Sequence, residues 1–329
     1  MNWLAQVPSA FREYVSEYEA FHSQVTFQAE PEGLYEPIRY IMRLGGKRIR
    51  PLLFLMACDA VGGRWREHLS QAYALELFHN FTLVHDDIMD GASLRRGKPT
   101  VHEKFGLNAG ILSGDAMVFY CQIFLTEGLA SVLLPRSIAL FNQTAIRIIE
   151  GQQMDMDFEN QGEVKADQYL KMIEYKTSVL LGCALQLGAL TGGATAETEE
   201  ALYQAGIRLG LAFQIRDDIL DAFGDERFGK VRGGDIIQNK KTLLYILASE
   251  NASPDDRKIL SELRQESDLK KKVQETLEIF ERSGALKMAQ DKAESLYQQA
   301  VSIIHQADIT DTGRARLLEL FRLVHERNI

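Results

Sequence analysis

The sequence predicts an all-α fold, and three observations lead there. Only seven prolines occur in 329 residues, so little in the chain interrupts helices. Runs in which β-branched residues alternate with polar ones, the mark of strands, are nearly absent. Helical periodicity punctuated by glycine and proline accounts for nearly everything else. With 46% hydrophobic and 25% charged residues, the chain has the composition of a globular protein that buries a large core.

Taken in order, Arg50 and Pro51 open a helix running to about Val61, with Pro51 in the first turn, where its missing N–H does no harm. A longer helix runs from near Trp65 to Asp90 and stops at Gly91. Its Leu69, Ala72, Tyr73, Leu77, Phe78, Phe81, Val84 and Ile88 occupy more than one face, which predicts a helix buried among others. Further helices are expected at about 108–133, 135–158, 165–190 and 196–223, and several more from Lys240 onward. The turns GASLRRGKP and GDERFGKVRGGD are short, and no Pro/Ser-rich linker divides the chain. One domain over residues 1–329 is therefore expected. No fixed period recurs, which excludes a solenoid.

The formal net charge of −9 argues against a nucleic-acid or anionic-membrane binder, although local basic clusters can still hold a small anion. Cys58, Cys121 and Cys183 lie far apart in apolar surroundings, an odd count without a C-x-x-C pair. They read as core residues in a reducing compartment, not as a zinc site or a disulfide framework. The first residues, MNWLAQVPSAFREY, lack a basic region followed by an apolar run, and the longest apolar segment, VLLGCALQLGAL, is too short to cross a bilayer. A soluble cytoplasmic protein, not an integral membrane one, is expected.

The chemistry is concentrated in two aspartate-rich stretches, LVHDDIMDGASLRRGKPTVH (residues 83–102) and FQIRDDILDAFGD (Phe213–Asp225). Both carry D-D-x-x-D. On a helix, residues four apart share a face, so Asp86 and Asp90 project together, as do Asp217 and Asp221. A chance origin is a poor explanation, because a random chain of this length should hold well under about 0.1 copies of the pattern. Carboxylates without histidine or cysteine companions suit hard cations, and Mg²⁺ is characteristically held by one or two of them plus substrate phosphates. Two such pairs point to several Mg²⁺ ions clamping one phosphate-bearing substrate.

Three basic clusters supply the opposite charge: GGKRIRP (Gly45–Pro51), Arg95 with Arg96, and Lys230 with Lys240 and Lys241. Alone, each would read as a solvated face. Arg95 and Arg96, however, follow the first aspartate motif directly, and Lys230 follows the second by a short turn. The Gly45-Gly46 pair lets the backbone and Lys47 approach a phosphate closely, and Arg50 can add a forked contact. No G-x-x-x-x-G-K-[ST] sequence occurs, which excludes a P-loop.

The ordered set GGKRIRP, HDDIMD-x4-RRGKPTVH, EGQQMD, YKTS, FQIRDDILD and FGKVRGGDI-x3-KKT resembles the trans-isoprenyl diphosphate synthases, the polyprenyl synthetase family, from about Tyr35 to Leu247. The resemblance implies an all-α bundle of roughly ten or more helices around a deep central cavity, acting as a homodimer. It also implies head-to-tail condensation of an allylic diphosphate (dimethylallyl, geranyl or farnesyl) with isopentenyl diphosphate, releasing pyrophosphate. Carried over residue by residue, Asp86, Asp87, Asp90, Asp217, Asp218 and Asp221 form the metal set for three Mg²⁺ ions, with Asp86, Asp90 and Asp217 as direct ligands. Arg95, Lys176, Thr177, Gln214, Lys230 and Lys240 resemble the holders of the allylic diphosphate. Gly46, Lys47, Arg50, His79 and Arg96 resemble the isopentenyl diphosphate site. The resemblance makes Asp86, Asp90, Arg95, Lys176, Asp217 and Lys230 the catalytic group.

In this family the residues before the first aspartate motif set product length. Here those are Phe81 and Thr82. A bulky Phe81 resembles synthases that stop at fifteen or twenty carbons, and the compact DDIMD departs from the common bacterial farnesyl type, so geranylgeranyl diphosphate is expected, with farnesyl as the alternative. A caution comes from the helical wheel, which puts Thr82 almost under Asp86 and turns Phe81 well to one side. A class I terpene cyclase would need a different second motif. A non-catalytic subunit of a heteromeric synthase would be expected to have lost aspartates, and a longer-chain synthase would carry a small residue at Phe81. A di-iron bundle would need paired E-x-x-H motifs, and none is present.

Overall fold

The computed structural model describes residues 8–224 and 233–326. In chain order its helices are α1 (Arg12–Gln24), α2 (Glu32–Arg43), α3 (Ile49–Ala60), α4 (Leu69–Met89), α5 (Val101–Phe105) and α6 (Leu107–Thr126). They continue with α7 (Leu134–Asn160), α8 (Ala166–Ile173), α9 (Val179–Gly192), α10 (Ala196–Phe223) and α11 (Gly234–Ile237). The chain then forms α12 (Leu243–Asn251), α13 (Pro254–Leu263), α14 (Leu269–Arg282), α15 (Ala285–Gln306) and α16 (Asp311–Glu326). The all-α expectation is borne out. Among the described residues the only strands are the two-residue β1 (Leu94–Arg95) and β2 (Lys98–Pro99).

The chain gathers into two compact units interleaved along the sequence. The first comprises the described parts of Met1–Asn142, Cys183–Tyr203 and Ala307–Ile329, the second Gln143–Gly182 and Gln204–Gln306.

In the first unit α4 is the central element. Its Ala72, Tyr73, Leu75, Leu77, Phe78, Phe81 and Val84 are buried, and burying each larger side chain contributes about 1.5–3 kcal/mol. Two glycines on α6 let that helix close on the aspartate end of α4. A Cβ at Gly110 would sit 2.9 Å from Ile88 Cδ1, and one at Gly114 would collide with the His85 ring. The C-terminal helix, which carries no signature in the sequence, also belongs here. Gly313 of α16 lies against Ala60 of α3, and Arg316 reaches Asp59 at 2.7 Å and the Tyr14 hydroxyl at 2.8 Å.

Three boundaries differ from expectation for local reasons. The helix expected over 108–133 ends at Thr126, because Gly128 turns left-handed at φ 69°. The helix expected over 165–190 is divided between α8 and α9 by a π-helical turn, Glu174–Ser178. The loop after α4 closes as a β1/β2 hairpin, with Leu94 opposite Pro99 and Arg95 opposite Lys98. Its tip residues Arg96 and Gly97 have φ of 53° and 72°, the geometry two-residue hairpins favour. The three cysteines are free and buried, as expected, and burial pushes the Cys58 thiol up to about 12. Among the described residues, α6 is the one helix long and apolar enough, by length and composition alone, to cross a membrane.

Candidate active site

In the first unit, a cluster of candidate residues is built on the last turn of α4. Asp90 N–H donates to the Asp86 carbonyl at 2.8 Å, so the two side chains leave the helix one turn apart. Asp87 faces inward, 1% exposed, and accepts Arg95 Nε and Nη2 at 2.8 and 2.7 Å. This forked contact makes Asp87 the anchor of the hairpin. Asp86 stays half-buried and Asp90 exposed. Carboxylates at a helix C-terminus oppose the helix dipole, and no basic residue lies in the last turn of α4. A bound cation would relieve that field.

Beside it lies a concentration of positive charge. Arg96, at the hairpin tip, donates to the Gly45 carbonyl. Gly46, at φ 155°, brings the backbone so near that an added Cβ would lie 3.2 Å from Arg96 Nη2. Arg50 is half-buried, and its Nε has no hydrogen-bond partner. Burial pushes Arg50 down to about 10, with Glu76 opposing and Arg96 reinforcing the fall. Arg96 is lowered for the same first reason, burial, and is further repelled by Arg48 and Arg95. His79 is driven well below its ordinary value by burial and then by Arg50, Arg96, Arg95 and Arg48, so it is neutral at pH 7. A group of arginines, Arg50 and Arg95 half-buried and Arg96 exposed, around a neutral histidine is what an anion of high charge requires. Lys47 is exposed on the same loop.

In the second unit, a separate cluster belongs to α8, α10 and the π-turn. Glycines at two contacts set the spacing: a Cβ at Gly151 of α7 would collide with the Lys176 backbone nitrogen, and one at Gly210 of α10 with Ser178. One turn beyond Gly151, Asp155 meets Lys176 Nζ at 2.5 Å. One turn beyond Gly210, Gln214 Oε1 accepts the Thr177 hydroxyl at 3.1 Å. The π-turn directs Lys176 and Thr177 to one place, as such bulges do at functional sites. Asp218 is buried, accepts Gln214 Nε2 at 3.0 Å and also accepts the Tyr169 hydroxyl. Burial pushes its carboxyl well above the usual range, Asp235 and Asp217 add to that rise, and the hydrogen bonds oppose it.

Asp155, Tyr169, Lys176, Thr177, Gln214, Asp218, Asp235, Lys240 and Lys241 line a cavity of about 100 Å³. Asp235 N–H donates to Asp221 Oδ2 at 2.9 Å, and Lys240 Nζ lies 3.9 Å from Asp235. Sequence reasoning missed Asp155, Tyr169 and Asp235 as site residues. Asp155 and Asp235 stand inside EGQQMD and FGKVRGGDI, so their signal was present. Tyr169 carried none. Lys230 lies outside the described residues.

The donor set fits Mg²⁺. Among the described residues no three acidic, histidine or cysteine side chains form a closed metal site. Paired carboxylates suit an ion that keeps its waters and completes its shell with substrate phosphates.

Phe81, 8% exposed, packs on Phe78 with ring centroids 5.3 Å apart and on His85 at 4.9 Å. Thr82 donates its hydroxyl to the His79 carbonyl at 2.8 Å.

Known proteins resemble this chain in sequence and in fold. The Polyprenyl synthetase family matches residues 31–280. A geranylgeranyl diphosphate synthase of Methanosarcina mazei is 45% identical over 222 residues, 67% of this chain and 68% of that one. A geranylfarnesyl diphosphate synthase of Natronomonas pharaonis is 37% identical over 252 residues, 70% of this chain and 73% of its own. A crystal structure of geranylgeranyl pyrophosphate synthase superposes with a TM-score of 0.90 at 42% identity, covering 99% of both chains. With its aspartate-ended α4, its arginines around His79 and its lysine-bearing π-turn, the chain belongs to the polyprenyl synthetase family.

Proposed function

We propose that this chain is a Mg²⁺-dependent short-chain prenyltransferase that condenses an allylic diphosphate with isopentenyl diphosphate, releasing pyrophosphate and making geranylgeranyl diphosphate. The observation that carries the reading is the arginine group around neutral His79, with Arg50 Nε unpartnered, beside the carboxylate end of α4. The family match runs through segments of both units, which supports one functional domain.

In this reading Gly46, Lys47, Arg50, His79 and Arg96 hold isopentenyl diphosphate. Arg95, Lys176, Thr177, Gln214 and Lys240 hold the allylic diphosphate, together with Lys230 outside the described residues. The allylic C–O bond breaks and its electron pair leaves with the diphosphate. The isopentenyl double bond then forms the new C–C bond, and the adduct loses a proton to the released pyrophosphate. Asp86, Asp90, Asp217 and Asp221 would hold three Mg²⁺ ions, which would supply positive charge opposite the departing diphosphate. Lys176 and the arginines add fixed positive charge that needs no reorganisation as the bond breaks. Asp87 and Asp218, both buried, orient Arg95 and Gln214.

Phe81, buried among aromatic rings, supports a product that stops short. The exposed apolar face of α6 supports a homodimer. Leu112, Phe119 and Ile123 are 59%, 72% and 57% exposed, whereas Asp115, near mid-helix, would be costly in hydrocarbon. A second copy of this chain is the cover that fits. Buried free thiols support a reducing, cytoplasmic setting.

Replacing Asp86 or Asp217 by alanine should lower turnover at least about a hundredfold without lowering thermal stability, and EDTA should abolish turnover in the unaltered protein. Near-normal turnover in either variant would sink the metal assignment.

A further inference from the structure

Between Lys47 and Arg50, which the proposed function assigns to isopentenyl diphosphate, lies Arg48, and its side chain goes elsewhere. It is 4% exposed, and its backbone is left-handed at φ 51°, an uncommon conformation for a residue with a long side chain. That backbone turn faces Arg48 away from Lys47 and Arg50. Its guanidinium donates Nη1 to Glu76 at 2.9 Å, Nε to Glu19 at 3.2 Å and Nη2 to the Met42 carbonyl at 3.4 Å, and Nη2 lies 3.2 Å from His22 Nε2. Glu76 is 2% exposed and lies on α4, one turn before Asn80, whose amide donates to the Glu76 carbonyl at 2.8 Å.

The same helix holds the other flank of the loop. Asp87 of α4 forks to Arg95, and the next residue, Arg96, crosses to the Gly45 carbonyl. A closed circuit results, running α4, Glu76, Arg48, the Gly45–Gly46 backbone, Arg96, Arg95, Asp87 and back to α4. Arg48 and Arg95 pair with carboxylates of α4, whereas Arg50 and Arg96 are the arginines that act most strongly on His79.

From this geometry we infer that Arg48 is a positioning residue for isopentenyl diphosphate: its buried pair with Glu76 moors the Gly45–Arg50 loop to α4 and so sets the place of Lys47 and Arg50. The inference rests on the proposed function and deepens it, because it assigns substrate affinity to a residue that touches no substrate. A loop held this way presents its donors already placed, and a shift of about 1 Å in such donors can weaken productive binding as much as a hundredfold.

The test separates positioning from plain stability. Removing one partner strands a buried charge and is strongly destabilising, whereas replacing both by apolar residues of similar size is often neutral. The double variant Arg48→Met/Glu76→Leu therefore keeps the packing and removes the mooring, and Glu76→Gln serves as a second, milder variant. For each, KM for isopentenyl diphosphate, KM for the allylic primer, kcat and the thermal midpoint are measured. The inference expects KM for isopentenyl diphosphate to rise on the order of tenfold or more, with the allylic KM within about twofold of the parent in whichever variant folds. An isopentenyl KM unmoved in a folded variant overturns it, as does an equal rise for both substrates. If the unaltered protein itself fails to condense the two substrates, the proposed function falls instead.

Discussion

At the scale of single residues, charge placement explains more than charge count. The chain is acidic overall at −9, yet His79 sits among four arginines that, after burial, hold it neutral. His22 and His68 are also lowered, in both cases mainly by burial. A histidine whose folded pKa lies below its unfolded one binds fewer protons in the folded chain. Stability from these groups is intact above about pH 6.5 and is lost as pH falls below it. The thermal midpoint should therefore drop as pH is lowered from about 6.5, with stability falling by at most about 1.4 kcal/mol per pH unit for one histidine. His79→Gln should flatten the fall, and a variant with the parent's pH profile would remove His79 from this account. Much of the residue level was legible in the sequence, because motif order alone selects the aspartates, Lys176, Thr177 and Gln214. What spacing could not reveal is direction: Asp87 and Asp218 share their neighbours' motifs but turn into the protein, and Arg48 differs from Arg50 only in its backbone hand.

At the scale of elements, the π-turn at Glu174–Ser178 separates α8 from α9 and gathers Lys176 and Thr177 at one cavity. Periodicity reads the stretch as one helix, since a single extra residue per turn hardly disturbs an apolar pattern. The contact that fits around this turn is Gly151, where the backbones of α7 and the π-turn meet. Gly151→Ala should destabilise by about 1–3 kcal/mol through overpacking and lower turnover further by displacing Lys176. A variant with the parent's thermal midpoint and turnover would show that the two backbones can separate harmlessly. The same close approach of glycine-bearing helices recurs at Gly114 under His85 and at Gly210 against Ser178. In the sequence those glycines look like ordinary interruptions of helix.

For the whole molecule, the all-α class followed from composition and periodicity, whereas the role of the C-terminal helix did not. Only contacts such as Arg316 with Asp59, residues distant in sequence, place α16 against α3. The outward face of α6 was equally illegible, because the apolar residues of Leu107–Thr126 are interspersed with polar ones and fall into a stripe only once the helix is built. If that stripe is covered by a second copy, the protein in solution should have twice the chain mass of 37.1 kDa. Phe119→Glu should shift it toward monomer in light scattering, and an unaltered monomeric parent would refute the dimer. The central claim concerns the reaction, and product-length analysis tests it most directly. Purified protein incubated with Mg²⁺, isopentenyl diphosphate and each allylic primer should yield mainly a twenty-carbon diphosphate, and Phe81→Ala should yield longer chains. A twenty-five-carbon product from the unaltered protein would contradict the place given to Phe81, and no condensation with any primer would contradict the enzyme itself.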